Sequence, residues 1–369
     1  MRAVLKFITW PALAGLLAAL LILERWVWPT AAPPPLASAQ ESYRSAVAVA
    51  TPSVVNIYTA KRVETGRNRL LNNPFMLIPR GVPRQRVERS LGSGVIMRAD
   101  GYILTNNHVI DGADAIQVLL SDGRSAAAQV VGRDLPTDLA ALRIELDGLD
   151  AVDLANSDQL SVGDVVLAIG NPLGFGHSVT QGIISGLGRF GMNLGTYEGF
   201  IQTDAVIHPG NSGGALVDTR GALVGINSLI YTSGETGGST AALGIGISLA
   251  IPSNLAEFVM DDLIRYGRVI RGWLGVEAEQ LPAPVGAGSQ RLLVRGVAPD
   301  GPADRAGLRT GDVITQFDDT PIDDVRMSMY RVSLLRPGDR LGMTVERDGE
   351  VLDLSAVIGT QPESTQNVR

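Results

Sequence analysis

The sequence predicts a mostly β chain: two six-stranded antiparallel β-barrels packed together, a smaller α+β module after them, and one apolar helix before them. Three observations carry this. From about residue 46, short β-branched runs alternate with glycine, in a chain of 369 residues with 43 glycines and only 5% aromatics, a composition suited to many short strands and tight turns. The pattern changes at Arg271, leaving about ninety residues, enough for an independent domain. Near the start, residues 7 to 23 form a run of seventeen uncharged, mostly apolar residues.

In chain order, that run comes first. Arg2 and Lys6 precede it, and Glu24, Arg25, Trp26 and Trp28 follow it. A transmembrane anchor over residues 1–28 is expected, its basic end in the cytoplasm and its Trp residues at the far interface. Pro29 and Pro33 to Pro35 then make residues 29–45 a stiff linker. Ala37-Ser38-Ala39 has the small-x-small form of a signal-peptidase site, but the proline-rich stretch before it is too long and stiff for a usual cleavage region, so a retained anchor is favoured.

Strand-sized runs follow: SVVNIYTA, GSGVIM, GYILTNN, AIQVLL, AAAQVVG and LAALRI, then VVLAIGN, SVTQGIISG, FIQTDAVI, GALVDTRGALVGINSLIY and GIGISLAI. Two successive sets of about six strands suggest the two barrels, over residues 46–268. Pro252 to Gly267 places apolar residues at 255, 258, 259, 263 and 264, a helix stopped by glycine. Residues 61 to 90 carry eight Lys and Arg against Glu64 and Glu88, read as a long solvated basic insertion. The last module, residues 271–359, predicts a short helix near Ala303 to Ala306 and another over about Ile322 to Leu335. Residues 360–369 read as a frayed polar tail.

Composition also excludes classes. There is no cysteine, which removes disulfides, thiolate nucleophiles and Cys-type zinc sites. Three histidines far apart make a metal site improbable, and no cofactor is expected. The balance of 31 basic to 38 acidic side chains, net -7, with no Arg/Lys stripe in the globular part, argues against nucleic acid.

The chemistry centres on Ile-His-Pro-Gly-Asn-Ser-Gly-Gly-Ala-Leu-Val, residues 207 to 217. These residues build turns in any protein, and G-x-S-x-G is also the nucleophile elbow of another hydrolase fold. In that fold the histidine follows the serine; here His108, His177 and His208 all precede Ser212. A serine nucleophile needs a neutral imidazole in reach. His108 is favoured because a strand runs into a polar turn there; His177 and His208 read as loop residues. Asp138, the lone charge entering the apolar strand TDLAALRI, needs a partner if buried and suits the acid that orients the imidazole. Asp134 is the reserve, while Asp111, Asp114 and Asp122 lie in turn contexts. Gly210 and Ser212 are expected to supply the backbone N–H groups of an oxyanion hole. In Gly272-Trp273-Leu274-Gly275-Val276, successive amides suit either a carboxylate nest or an ordinary strand entry.

TNNHVI around His108, TDLAAL around Asp138 and GNSGGALV around Ser212, in that order and at such separations, resemble the HtrA (Deg) family of trypsin-like serine proteases. GPADRAGL followed by GDVI resembles a bacterial PDZ domain, and RGWLGV its carboxylate-binding loop: Trp273, Leu274, Gly275 and Val276. The likeness covers roughly residues 46 to 359 and implies the chymotrypsin-like two-barrel fold followed by one PDZ domain. A single PDZ domain and a retained anchor point to the DegS/AlgW branch. That resemblance implies a homotrimer held to the inner membrane, with protease and PDZ domains in the periplasm. There the PDZ domain would sense C-termini of unassembled outer-membrane proteins, and the protease would make the first cut in a membrane-spanning anti-sigma factor. It further implies a triad of His108, Asp138 and Ser212, an apolar substrate pocket shaped by Ile207, Asn227, Ser228, Leu229 and Ile230, and a regulatory role for Arg189. The basic insertion and the Ala-Ser-Ala site depart from that pattern. Two other functions fit parts of the chain: a constitutive quality-control protease, and a non-catalytic PDZ adaptor or chaperone.

Overall fold

The structure, a computed structural model, describes residues 14–19, 42–64, 85–171, 176–190, 197, 199–228, 247–281, 290–322 and 324–362. The chain divides into two compact units, Met1–Tyr43 and Arg44–Arg369. In the first, residues 14–19 are helical, with Leu16 and Leu17 exposed. Among the described residues no helix is long and apolar enough to cross a membrane; the rest of the predicted anchor and nearly all of the linker lie outside them. A helix, Arg44–Ala50, already begins inside the stretch read as linker.

In the second unit the first strands are β1 (Val54–Glu64), β2 (Gln85–Ile96), β3 (Tyr102–Asn106), β4 (Ala115–Leu119), β5 (Ser125–Ala127), β6 (Gln129–Asp134) and β7 (Leu139–Arg143). They form one antiparallel sheet in the order β5-β4-β1-β2-β3-β7-β6. This corrects the expected closed six-stranded barrel. The run AAAQVVG, read as one strand, is two: Ala128 turns its N–H to the Ile116 carbonyl (2.9 Å), so the residues before it pair with β4 and those after it with β7. The sheet's two edges are therefore consecutive in the chain, and no ladder closes them. The basic insertion also differs from its reading as a loop. β1 and β2 pair without interruption from Val54↔Val95 to Glu64↔Gln85, because ladder bonds belong to the backbone and ask nothing of the side chains. Residues 65–84 lie outside the described region.

The second half closes as predicted. β8 (Val165–Gly170), β9 (Ser178–Arg189), β10 (Phe200–Thr203), β11 (Ala215–Val217), β12 (Leu223–Ser228) and β13 (Ser248–Pro252) form a barrel in the order β10-β13-β12-β11-β8-β9. Each half buries its own aliphatic core, around Ile57, Ile103 and Leu142 in the first and around Val166, Ile201 and Leu216 in the second. The helix Ser253–Tyr266 buries Leu255, Ala256, Val259, Met260 and Leu263 at helical spacing and packs on β6 and β7 as well as β12 and β13. Gly267, left-handed at φ 69°, ends it by donating to the Leu263 carbonyl (3.0 Å), as a glycine cap does.

The last module holds β14 (Gly272–Trp273), β15 (Val276–Leu281), β16 (Arg291–Val297), β17 (Val313–Phe317), β18 (Thr320–Pro321), β19 (Arg340–Arg347), β20 (Glu350–Val357) and β21 (Gly359–Thr360). Its main sheet runs β15-β16-β17-β19-β20, with β18 on β17, while β14 pairs with β21. Helices Pro302–Arg305 and Val325–Leu334 fall where the sequence places them. The tail read as starting at 360 is paired further: Thr360 opposes Gly272, and the Gln361 N–H donates to the Arg271 carbonyl (3.2 Å). A two-residue polar strand is too short to leave a pattern.

Two buried carboxylates, one on β6 and one on the helix Ser253–Tyr266, seat this module on the rest of the unit. Asp134 meets the Arg271 guanidinium head-on, Oδ1 to Nη1 at 2.9 Å and Oδ2 to Nη2 at 2.5 Å, with side chains only 6% and 4% exposed. Asp262, 1% exposed, accepts Arg336 Nη1 (2.6 Å) and the Ile270 N–H (2.8 Å). Arg271 also lies over the Tyr197 ring at 4.4 Å, whose hydroxyl donates to Gln361 Oε1 (2.7 Å); burial pushes that hydroxyl's pKa up.

Candidate active site

β3 delivers His108 through the one-turn helix Asn107–Ile110. Asp138 arrives from the neighbouring strand, at the end of the 3-10 turn Leu135–Thr137 and in the left-handed region (φ 55°, ψ 35°). That conformation costs a non-glycine residue about 1 kcal/mol or more and persists only when its surroundings insist. They do: the Asp138 carbonyl accepts the Asn107 N–H (2.8 Å) and Asn106 Nδ2 (3.1 Å). Its carboxylate then grips His108 twice, Oδ1 on the backbone N–H (2.9 Å) and Oδ2 on Nδ1 (2.6 Å). An ionised carboxylate only accepts, so Nδ1 carries the ring proton and Nε2 keeps its lone pair. Asp134, the reserve candidate, is committed to Arg271 and to Thr137 Oγ1 (2.5 Å).

Ser212 sits 4% exposed in a turn whose glycines have separate reasons. His208 to Asn211 is a β-turn, the Asn211 N–H reaching the His208 carbonyl (2.9 Å). Pro209 is at its second position and Gly210, at φ 96°, at its third, the type II pattern. Gly213 is left-handed at φ 81°, and a Cβ there would collide with the Ser93 carbonyl and Thr105 Oγ1. A Cβ on Gly214 would strike the Ile169 carbonyl. The peptide groups are pinned in sequence. The Gly210 carbonyl accepts Ser93 Oγ (2.7 Å), the Asn211 carbonyl accepts the Gly214 N–H (2.9 Å), and the Ser212 carbonyl accepts the Ser93 N–H (2.9 Å). Since a trans peptide points its N–H opposite to its carbonyl, the Ser212 N–H faces away from Gly214. The same Gly213 Cβ position lies 3.2 Å from the Asn106 nitrogen, two residues before His108, so this turn abuts the His108 segment.

The remaining sequence-predicted residues separate. His177 is half-buried and binds the Val54 carbonyl through Nε2 (2.8 Å), while His208 is exposed. Ile207 is buried, its N–H on Ser248 Oγ (3.2 Å). Asn227 spends its side-chain N–H groups on the Ile169 (3.2 Å) and Ala215 (2.9 Å) carbonyls, tying barrel strands together, and Ser228 is buried beside it. Leu229 and Ile230 lie outside the described residues. The Arg189 guanidinium folds over Gly186 and donates from Nε to Gln202 Oε1 (2.8 Å). Just beyond it, Phe190 meets Tyr330 of the helix Val325–Leu334 edge-on, centroids 6.1 Å apart; burial raises the pKa of the Tyr330 hydroxyl.

In the RGWLGV loop, the Leu274 and Gly275 carbonyls accept the Ala303 (3.0 Å) and Ala298 (2.9 Å) N–H groups, so the N–H groups of Gly275 and Val276 face the other way. Trp273 pairs with Gly359, and Leu274 is buried. β15 follows as the open edge of its sheet with the helix Val325–Leu334 beside it, an edge that an extended peptide can join.

Sequence reasoning missed Ser93, Thr105 and Arg271. No charge or motif marks the first two, and nothing near Arg271 in RGWLGV signals a partner 137 positions away.

An imidazole held by a carboxylate against a glycine-built serine turn is the machinery of a trypsin-like serine endoprotease, and the last module, with its open β15 edge, makes it one that carries a PDZ domain. Residues 92–226 match the trypsin-like peptidase domain family, and residues 272–358 the PDZ domain family. The serine endoprotease DegS of Escherichia coli (strain K12) is 43% identical over 328 residues, spanning 87% of this chain and 86% of that protein. A probable periplasmic serine endoprotease, DegP-like, of Ectopseudomonas mendocina (strain ymp) is 42% identical over 354 residues, spanning 88% and 72%. A solved structure of the HtrA-type protease AlgW with a decapeptide is 48% identical, covers 87% of this chain and 99% of that one, and superposes with a TM-score of 0.66. The chain belongs to the HtrA family of serine endoproteases, in keeping with its DegS/AlgW branch.

Proposed function

We propose that this chain is a periplasmic serine endopeptidase switched by peptide binding to its PDZ domain, with His108, Asp138 and Ser212 as its triad. The observation that carries the chemistry is the double grip of Asp138 on His108, which leaves Nε2 basic, next to a serine turn whose peptide groups are pinned. Nε2 takes the Ser212 Oγ proton as the oxygen attacks the scissile carbonyl, then returns it to the leaving amine; Asp138 stabilises the imidazolium between the two steps. The N–H groups of Gly210 and Ser212 receive the oxyanion. Water repeats the sequence to release the acyl group from Ser212.

The regulatory half rests on contacts. Helix Val325–Leu334 flanks the open β15 edge and touches the end of β9 and the residue after it: Met327 against Gly188, and Tyr330 against Phe190. A C-terminal peptide joining β15, with its carboxylate on the Gly275 and Val276 amides, would press on that helix, and Arg189 lies on the same segment. Ile207 and the start of the loop at Asn227 and Ser228 would border the substrate pocket. A relative named as a periplasmic endoprotease supports the compartment; there the chain would form a homotrimer on the inner membrane, anchored through residues 1–28. Its substrate would be a membrane-spanning anti-sigma factor, cut first by this enzyme in the envelope stress response.

The test is cleavage of the anti-sigma factor's periplasmic segment by the purified protein, with and without peptides ending in outer-membrane-protein C-termini. Peptide-dependent cleavage is expected. Equal cleavage of denatured protein without peptide would instead favour a constitutive quality-control protease, and full function in Ser212→Ala a non-catalytic adaptor.

A further inference from the structure

Within the triad reading, the groups come from different halves of the molecule. His108 and Asp138 hang from the first sheet, on the one-turn helix after β3 and the turn before β7; Ser212 sits in the loop before β11 of the barrel. Something must fix the second set against the first to within a fraction of an ångström, since misplacement of about 1 Å costs on the order of 100-fold in rate.

Ser93 stands at that seam. It lies on β2, is 0% exposed and uses every hydrogen-bonding atom it has. Its Oγ donates to the Gly210 carbonyl (2.7 Å) and accepts the Asn171 N–H at the end of β8 (3.0 Å). Its own N–H donates to the Ser212 carbonyl (2.9 Å). Its carbonyl accepts Thr105 Oγ1 (2.7 Å) on β3, three residues before His108. Four bonds from one residue thus run to both sides of the nucleophile turn, to the neighbouring barrel strand, and to the strand that carries the base.

We propose that Ser93 is a positioning residue for peptide hydrolysis: its hydroxyl holds the Gly210–Asn211 peptide plane, and with it the oxyanion donors, in register with His108. Fixing the Gly210 carbonyl fixes the direction of the Asn211 N–H that closes the His208 turn. The Gly210 N–H belongs to the preceding Pro209–Gly210 peptide, which spans the middle of the same turn with Gly210 at φ 96°, so the hold reaches that N–H by keeping the His208–Asn211 turn closed. The role concerns charge that develops during reaction, so it touches turnover more than substrate capture.

The test uses the full chain with its activating C-terminal peptide, a fluorogenic peptide substrate and a peptide boronic acid that mimics the tetrahedral intermediate. Ser93→Ala is expected to lower kcat by about 10- to 100-fold with KM within about twofold. The boronic acid Ki should rise by the same factor as kcat/KM falls, while affinity for the C-terminal peptide stays at the wild-type value. Ser93→Cys, which keeps the shape but offers only a weak donor, should fall with Ser93→Ala; it also carries the test if Ser93→Ala fails to fold. Wild-type kcat in either variant, or a loss confined to KM, overturns the inference. So does wild-type boronic acid affinity despite lost turnover. Ser212→Ala is measured alongside: retained turnover there overturns the nucleophile reading and this inference with it. Loss in Ser212→Ala with full activity in Ser93→Ala overturns this inference alone.

Discussion

Asp134 and Asp138 lie four positions apart and do opposite work. Both look alike in the sequence, acids beside an apolar strand, and the expense of burying a lone carboxylate selects Asp138 only because His108 is known to need a partner. The structure separates them by what they face: an imidazole for Asp138, a guanidinium for Asp134. Asp138→Asn should cut kcat by about 10,000-fold, since an amide can present its N–H to Nδ1 and hold the wrong tautomer; a burst-phase assay with an ester substrate measures it. Ser93 was not legible at all, because a neutral hydroxyl in GSGVIM carries no pattern and the carbonyl it donates to, on Gly210, lies 117 positions away. Gly213 was legible as a turn residue but not as a spatial necessity. Gly213→Ala should cost at least about 2 kcal/mol, combining left-handed strain with a collision against Ser93 and Thr105, read from the urea midpoint.

Elements were legible where a period runs long enough. The helix Ser253–Tyr266, the closed second barrel and both helices of the PDZ module follow from apolar spacing and glycine stops. The break at Ala128 was not, since one residue turning its N–H sideways leaves β-branched periodicity intact. Thr360 and Gln361 were lost for the opposite reason, being too few and too polar. Within the PDZ module, Asp312 shows how an element carries pH sensitivity. Burial would push its carboxyl pKa up, but the Arg347 fork at 2.7 Å and the Arg309 N–H at 2.7 Å outweigh it, holding it below the usual carboxylate range. A folded-state pKa below the unfolded one gives stability that is present above about pH 4 and lost as pH falls through the folded value. Asp312→Asn should therefore be less stable than wild type at pH 7, with the gap closing under acid; a urea-midpoint profile from pH 7 to 2.5 that keeps a constant gap would contradict this.

At the scale of the whole molecule, the PDZ module is held to the protease domain by side chains the sequence shows only as scattered charges. Asp134 and Arg271 are 137 positions apart, and Asp262 and Arg336 are 74; no local signal joins them. Asp134→Ala strands the Arg271 guanidinium in a nearly dry site, at a cost of about 3–5 kcal/mol. Calorimetry should then resolve separate protease and PDZ transitions; a single unshifted transition would count against this coupling.

The depth of the Asp134–Arg271 pair has a consequence for how the protein behaves in different media. Dissolved ions screen charges that water can reach, over about 8 Å at physiological ionic strength, but have little purchase on side chains 4% and 6% exposed. Exposed pairs such as Arg295–Glu279 fade as salt rises, whereas this one persists. The join between the two modules should therefore hold its geometry alike in dilute and in briny surroundings, and the proposed peptide switch, which needs that join, should work alike in both.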